Sequence, residues 1–132
     1  EILITNFSGE NSQFIRFNNS KVRQTGIVDD MNYALDLVST IRRAEWIKER
    51  YELQDVIYIG DGIFDHYVMK QVGYSIAPAN ADRLAKETAN FTTLRLGGDR
   101  AVAEACLHIL EKFFQPYDPI KLPDTKIKLS GE

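Results

Sequence analysis

The sequence contains a single cysteine, Cys106, so no disulfide can form within the chain and a reducing, cytoplasmic compartment is expected. No apolar run approaches the roughly 20 residues that a membrane helix needs, so we expect no membrane partner. Acidic residues outnumber basic ones, giving a formal net charge of −3 and a pI near 5.4. A chain without a general positive field is not expected to bind nucleic acid.

The chain has 132 residues, 44% of them hydrophobic, which is enough for one core and short for two domains. Its first part, residues 1–26, alternates short β-prone segments with polar turn residues and predicts a small antiparallel β-hairpin. Residues 28–50 contain no glycine or proline, and their apolar side chains recur at helical spacing. This pattern predicts one long amphipathic helix.

Strands and helices are then predicted to alternate, with strands at 55–59, 74–77 and 91–94 and helices at 64–71, 81–89 and 99–114. Such alternation implies right-handed crossovers and a mostly parallel sheet that helices cover on both faces. We therefore predict a Rossmann-like, three-layer α/β core over residues 27–114. Prolines at 116, 119 and 123 predict that residues 115–132 form an extended tail.

Two carboxylates follow the apolar strand at 55–59, which stops at a Gly-Asp-Gly turn. Asp61 lies in this turn and Asp65 comes four residues later. Mg²⁺ binds about six oxygens near 2.1 Å and usually takes only one or two protein carboxylates, leaving room for water and phosphate. The pattern predicts a magnesium site for phosphate chemistry; the alternative is that Asp61 is a turn residue and Asp65 a helix N-cap.

Residues 56–65, together with the strand and loop at 72–81, resemble the fourth motif of the haloacid dehalogenase (HAD) superfamily and the segment that follows it. The likeness is closest to phosphatases that act on 3-deoxy-manno-octulosonate 8-phosphate, and it covers about residues 54–113. It implies that Asp61 holds Mg²⁺ and that Asp65 supports the metal shell. It also implies hydrolysis of a small phosphorylated metabolite, such as a sugar phosphate.

The first motif of that superfamily, an apolar strand followed by Asp-x-Asp-Gly, is not intact in this sequence. In the one comparable run, Asn6 and Ser8 stand at the two aspartate positions. One interpretation is that the catalytic half lies outside this chain, which would then hold the carboxyl-terminal half of the domain, with residues 1–26 as a cap remnant. The other is a degenerate first motif in a pseudoenzyme. Whether the chain is a phosphatase or a non-catalytic binding or oligomerisation module stays open.

Other residues have less specific interpretations. The superfamily's third-motif lysine is missing near 38–40, and Arg43, one helical turn later, is a candidate for binding phosphate. Alternatively, Arg42 and Arg43 form a solvated helix face. Asn80 is predicted to cap the helix at 81–89, and the resemblance gives it a second role near the substrate.

The two histidines and the cysteine are assigned by their positions in the predicted helices. His66 is predicted to be a surface residue, Cys106 part of the core and His108 a flanking residue of the last helix. If half of the sheet is missing, an exposed strand edge would favour assembly, so a homo-oligomer is predicted.

Overall fold

The computed structural model describes residues 2–5, 13–18, 34–116 and 118–121. Its strands are β1 (Ile2–Thr5), β2 (Gln13–Asn18), β3 (Ala34–Leu37), β4 (Val56–Ile59), β5 (Tyr74–Ala77) and β6 (Phe91–Thr92). Its α-helices are α1 (Arg43–Arg50), α2 (Asp65–Met69), α3 (Arg83–Thr88) and α4 (Ala101–Phe113). Short 3₁₀ turns at Thr40–Arg42 and Leu53–Asp55 precede α1 and β4.

All six strands form one sheet in the order β3-β2-β1-β4-β5-β6. The strands β4, β5 and β6 are parallel neighbours, with α2 and α3 as their crossover helices. Their carboxyl ends therefore meet at one edge of the sheet, where loops converge and ligands commonly bind in α/β folds. We call this edge the carboxyl edge.

The strand β1 runs antiparallel to both of its neighbours, β2 and β4. Ile2 lies opposite Ile59, and Thr5 lies opposite Val56. The chain consequently leaves β1 beside the beginning of β4, at the opposite edge of the sheet from the carboxyl edge.

Helices cover both faces of the parallel strands. Because successive residues of a strand point to opposite faces, β4 contributes to two cores. Val56 and Tyr58 pack with residues of α1, α2 and α3, whereas Ile57 and Ile59 pack with Ala105 of α4. The predicted three-layer α/β arrangement is confirmed.

The single helix predicted over residues 28–50 is wrong in its middle part. Ala34–Leu37 is a strand that pairs in parallel with β2, and α1 begins only at Arg43. The Ala-Leu-Asp-Leu sequence of this strand has one polar residue among three apolar ones. Four residues of this kind fit either period, so pairing with a neighbouring strand decides their structure. Residues 28–33 lie outside the described residues, as do residues 122–132 of the predicted tail.

Regarding membranes, none of the helices in the described part of the chain combines the length and apolarity that a membrane span requires.

Candidate metal and phosphate site

Asp61 is placed at the carboxyl edge by the end of β4. The strand continues its pairing through Gly60, whose N–H donates to the Ile76 carbonyl at 3.1 Å. One residue later, the Asp61 carbonyl accepts a hydrogen bond from the Asp82 N–H at 2.9 Å, which ties the loops after β4 and β5 together. The Asp61 side chain is exposed, and within the described residues its carboxylate makes no hydrogen bond or ion pair.

Asp65 lies in the interior, although it is only four residues from Asp61. Its side chain is 0% exposed, and both carboxylate oxygens are bonded within the protein. Oδ2 accepts a hydrogen bond from the Gly62 N–H at 2.7 Å, and Oδ1 accepts one from the Tyr58 hydroxyl at 2.6 Å. Asp65 therefore stabilises the turn that carries Asp61.

Arg43 reaches the same buried carboxylate from α1. Its Nη1 donates to the Tyr58 hydroxyl at 3.0 Å and lies 3.5 Å from Oδ1 of Asp65, while Nε donates to the Val38 carbonyl at 3.3 Å. The guanidinium supplies a positive charge opposite a carboxylate that has no access to water, and such pairing is what makes a buried charge tolerable. We call Arg43, Tyr58 and Asp65 the buried network.

The location of Arg43 corrects one sequence interpretation. Arg42 is exposed, as a solvated helix face requires, but Arg43 is 0% exposed, so that interpretation is wrong for Arg43. Its role in binding phosphate stays a prediction, and the structure places its guanidinium against Tyr58 and Asp65.

Because Gly60 has no side chain, it leaves room for the buried network. A Cβ atom built on Gly60 would lie 2.6 Å from both Cγ and Oδ2 of Asp65 and 2.8 Å from Cε1 of Tyr58. Carbon atoms in contact normally stay 3.5–4.0 Å apart, so any larger residue here would displace Asp65 or Tyr58. The glycine before Asp61 is thus required by close approach.

Asn80 does not cap the following helix, contrary to the sequence prediction. The N-cap of α3 is Asp82, whose Oδ2 accepts the Leu84 N–H at 2.9 Å. Asn80 instead accepts the Gly97 N–H through Oδ1 at 2.7 Å. This bond joins the loop after β5 to the Gly-Gly turn before α4. Proximity of Asn80 to a substrate stays a prediction.

One of the two histidines differs from expectation. His66 is buried, with Nδ1 2.9 Å from the Ile63 carbonyl, so its assignment to the surface is wrong. His108 is half-buried and lies away from the carboxyl-edge loops: its Nε2 is 2.7 Å from the Tyr74 hydroxyl, and its ring stacks on Phe91 with centroids 3.7 Å apart. Cys106 is partly buried on the same helix, and burial raises the pKa of its thiol.

Sequence reasoning missed Tyr58, which links Arg43 to Asp65. A signal for it does exist, because Tyr58 is the one polar side chain in the otherwise aliphatic strand Val56–Ile59. A phenol hydroxyl in a buried strand usually has a hydrogen-bond partner, so its presence indicates a polar group below the turn.

The chemistry of the described residues suits a magnesium ion that takes few of its ligands from the protein. These residues contain no group of three or more His, Cys, Asp or Glu side chains that could hold a metal by themselves. Asp61 offers an exposed carboxylate on an anchored turn, and Mg²⁺ characteristically combines one or two carboxylates with water and phosphate oxygens. Ligation of the metal by Asp61 and support of the metal shell by Asp65 stay predictions. Asn6 and Ser8 lie outside the described residues.

Comparisons with known proteins agree with this architecture. The family model for haloacid dehalogenase-like hydrolases matches residues 13–105. A curated relative, the 3-deoxy-D-manno-octulosonate 8-phosphate phosphatase KdsC of Yersinia pestis, is 46% identical over 57 residues, which are 43% of this chain and 30% of that protein.

Solved structures of such phosphatases share the fold. The crystal structure of the Yersinia pestis phosphatase has a TM-score of 0.56 and 30% identity, covering 69% of this chain and 54% of that one. The phosphatase from Moraxella catarrhalis, solved with magnesium ion, phosphate ion and KDO, has a TM-score of 0.56 and 23% identity over 67% of this chain and 56% of that one. At that identity the second likeness shows the fold alone.

This chain thus spans about half the length of these solved relatives. Three observations agree on the family: the parallel strands β4 to β6 with their helices, the Gly-Asp-Gly turn, and a family match over more than half of the sequence. The chain belongs to the haloacid dehalogenase-like hydrolases.

Proposed function

We propose that the described residues form the metal- and phosphate-binding part of a phosphatase that hydrolyses a small phosphomonoester, such as a sugar phosphate, with Mg²⁺ as cofactor. The observation that carries this proposal is the exposed Asp61 carboxylate, which stands on an anchored turn at the carboxyl edge of the parallel strands. The likeness of this segment to octulosonate phosphatases supports the choice of substrate class.

Each residue has a distinct part in this proposal. Asp61 coordinates the metal through a carboxylate oxygen. Asp65 holds the turn in place by accepting a hydrogen bond from the Gly62 N–H. A bound Mg²⁺ supplies positive charge that offsets the phosphate oxygens. Asn80, on the loop tied to Asp61 by Asp82, is proposed to approach the organic part of the ester.

The nucleophile of the reaction is proposed to come from polypeptide other than these 132 residues, because the sequence contains no Asp-x-Asp. The direction of β1 supports this choice over a first motif at Asn6 and Ser8. The last residue of β1, Thr5, pairs with Val56 at the start of β4. Val56 is three residues from the carboxyl end of β4, a separation of about 10 Å at roughly 3.3 Å per residue. The strand β1 therefore ends on the side of the sheet away from Asp61.

A second candidate is a non-catalytic HAD-like module that binds a ligand or mediates oligomerisation. The absence of Asp-x-Asp favours it, as does the location of Arg43, whose guanidinium is bonded in the interior. Homo-oligomerisation and a cytoplasmic location are further predictions, the first of which sedimentation equilibrium tests directly: a monomer at all concentrations would contradict it.

Calorimetric titration with Mg²⁺, in the presence and absence of inorganic phosphate, tests the proposed site. The chain should bind Mg²⁺, and Asp61→Asn should abolish binding because an amide contributes no negative charge. Asp55→Asn is the matched control, since it removes an exposed carboxylate at the other end of the same strand and should leave binding unchanged.

Phosphate release from p-nitrophenyl phosphate and a panel of sugar phosphates then separates the two candidates. Turnover that disappears in Asp61→Asn would identify a complete enzyme and overturn the proposal that the nucleophile lies elsewhere. Binding without turnover agrees with an incomplete or purely binding domain. A chain that binds neither Mg²⁺ nor phosphate would refute the proposed site.

A further inference from the structure

We infer that Tyr58 and Arg43 are positioning residues, which hold the Asp61 turn in its metal-binding shape through Asp65 without touching the metal themselves. This inference rests on the proposed function, because it concerns the affinity of the same site for Mg²⁺.

Asp65 contacts the turn that carries Asp61 directly. Asp61 is exposed, so its own side chain does not fix its position. The Gly62 N–H, one residue further, donates to Asp65 Oδ2 at 2.7 Å. The orientation of the peptide between Asp61 and Gly62 therefore depends on where the Asp65 carboxylate lies.

Tyr58 and Arg43 in turn fix the position of the Asp65 carboxylate. Asp65 Oδ1 accepts the Tyr58 hydroxyl at 2.6 Å and lies 3.5 Å from Arg43 Nη1, and all three side chains are fully buried. The Tyr58 hydroxyl also accepts from Arg43 at 3.0 Å, so it transmits the position of the guanidinium to the carboxylate. Hydrogen bonds among buried, charged groups are stronger than those exposed to water.

Steric contact with Gly60 also confines Asp65. The Asp65 carboxyl group packs so closely against Gly60 that a Cβ atom there would lie 2.6 Å from it. Asp65 is thus confined between the backbone before Asp61 and the N–H after it. A change in Tyr58 or Arg43 that shifts Asp65 by a few tenths of an ångström must move the turn as well.

Residues in the hydrogen-bonded shell around a metal ligand commonly control the affinity for the metal. Their mutation typically weakens metal binding about 10–100-fold. Tyr58→Phe removes only the hydroxyl and keeps the ring that packs in the core. We expect Mg²⁺ to bind this variant about tenfold more weakly than the unmutated chain. The chemical shift of the Gly62 amide proton should also move upfield, because its acceptor loosens.

Tyr74→Phe is the matched control. It removes the hydroxyl of a second strand tyrosine, which is partly buried and bonds His108 on the opposite face of the sheet. Its Mg²⁺ affinity and Gly62 amide shift should equal those of the unmutated chain. A change of equal size in both variants would point to a general structural effect and overturn the inference.

The outcomes separate this inference from the proposed function. If the unmutated chain binds Mg²⁺ and Tyr58→Phe binds it equally well, the positioning role is refuted and the proposed metal site stands. If the unmutated chain binds no Mg²⁺, both fail. Should Tyr58→Phe not fold, Arg43→Lys decides in the same assay, since it keeps the positive charge and loses the planar donor geometry; unchanged affinity there would refute the inference.

Discussion

Asn80 Oδ1 accepts the Gly97 N–H at 2.7 Å, and this bond links two loops at the carboxyl edge that are 17 residues apart. The same loops are joined a second time, by the Ala79 N–H and the Arg95 carbonyl at 3.2 Å. The loop after β5 is in turn bonded to Asp61 through the Asp82 N–H. The loops around the candidate site therefore form one hydrogen-bonded rim.

Replacing Asn80 with alanine should loosen this rim. We expect Asn80→Ala to lower the free energy of unfolding by about 0.5–1.5 kcal/mol, the usual net contribution of one hydrogen bond. Asn80→Asp retains an acceptor oxygen and should keep most of the stability. Urea denaturation of the two variants measures the difference, and equal losses would show that the Asn80–Gly97 bond contributes nothing.

The cap of α3 provides a second prediction. Asp82 Oδ2 accepts the Leu84 N–H, so Asp82→Ala leaves a first-turn donor without its partner and should cost about 1 kcal/mol. On the same helix, Arg83 forms an exposed pair with Glu87 at 2.9 Å. Arg83→Ala is the control and should cost at most about 0.5 kcal/mol, since exposed i,i+4 pairs contribute little. A reversed order in thermal denaturation would contradict the assignment of Asp82 as the cap.

The carboxyl-terminal part of the sheet could be predicted because its local signals agree. The strand at 74–77 has the predicted bounds, and the helix predicted at 99–114 is observed as Ala101–Phe113. Each apolar strand is followed by turn residues and a helix with a clear buried face, so periodicity and turn chemistry point to the same fold.

The strand β3, the buried network and the cap of α3 could not be predicted, because they depend on contacts between segments that are distant in the sequence or on backbone geometry. Ala34–Leu37 becomes a strand by pairing with β2, and its own sequence fits a helix equally well. The buried network joins side chains from α1, β4 and α2, which lie 15 and 7 residues apart along the chain. For the α3 cap, Asn80 and Asp82 are both suitable residue types, and only the backbone geometry chooses between them.

His108 gives a prediction about pH. Burial lowers its pKa, Lys112 lowers it further, and Glu111 and Glu104 oppose that effect. The side chains of Tyr74 and Phe91 contact its ring. Because the folded state disfavours the proton, the unfolded chain binds it more readily at its ordinary pKa of 6.5. The stability contributed by neutral His108 is therefore complete above pH 6.5 and is lost as the pH falls through the lower, folded-state pKa.

Chemical denaturation between pH 8 and pH 5 should show this loss in the unmutated chain. His108→Gln cannot take up the proton, so its stability should decline less steeply over the same window. Identical slopes for the two proteins would show that His108 does not contribute to the pH dependence.

Glu104 anchors the loop before α4 with one carboxylate. Oε2 accepts the Leu94 N–H at 2.8 Å and Oε1 accepts the Arg95 N–H at 3.0 Å. Glu104→Gln would turn an amide N–H₂ toward one of these donors, so we expect a loss of about 1 kcal/mol in the free energy of unfolding. Glu111→Gln, an exposed change on the same helix, should be nearly neutral. Amide hydrogen exchange at Leu94 and Arg95 should accelerate only in the first variant.

Two glycine substitutions test the close packing at the carboxyl edge. Gly60→Ala would place a Cβ 2.6 Å from the Asp65 carboxyl group, which is bonded on both sides and cannot retreat, so a loss of about 1–3 kcal/mol is expected. Gly97→Ala would meet Asn80 Oδ1 at 3.2 Å, at the end of an adjustable side chain. The cost there should stay below about 1 kcal/mol. If Gly60→Ala is tolerated as well as Gly97→Ala in urea denaturation, Asp65 is free to move, and the rigid support of the Asp61 turn is disproved.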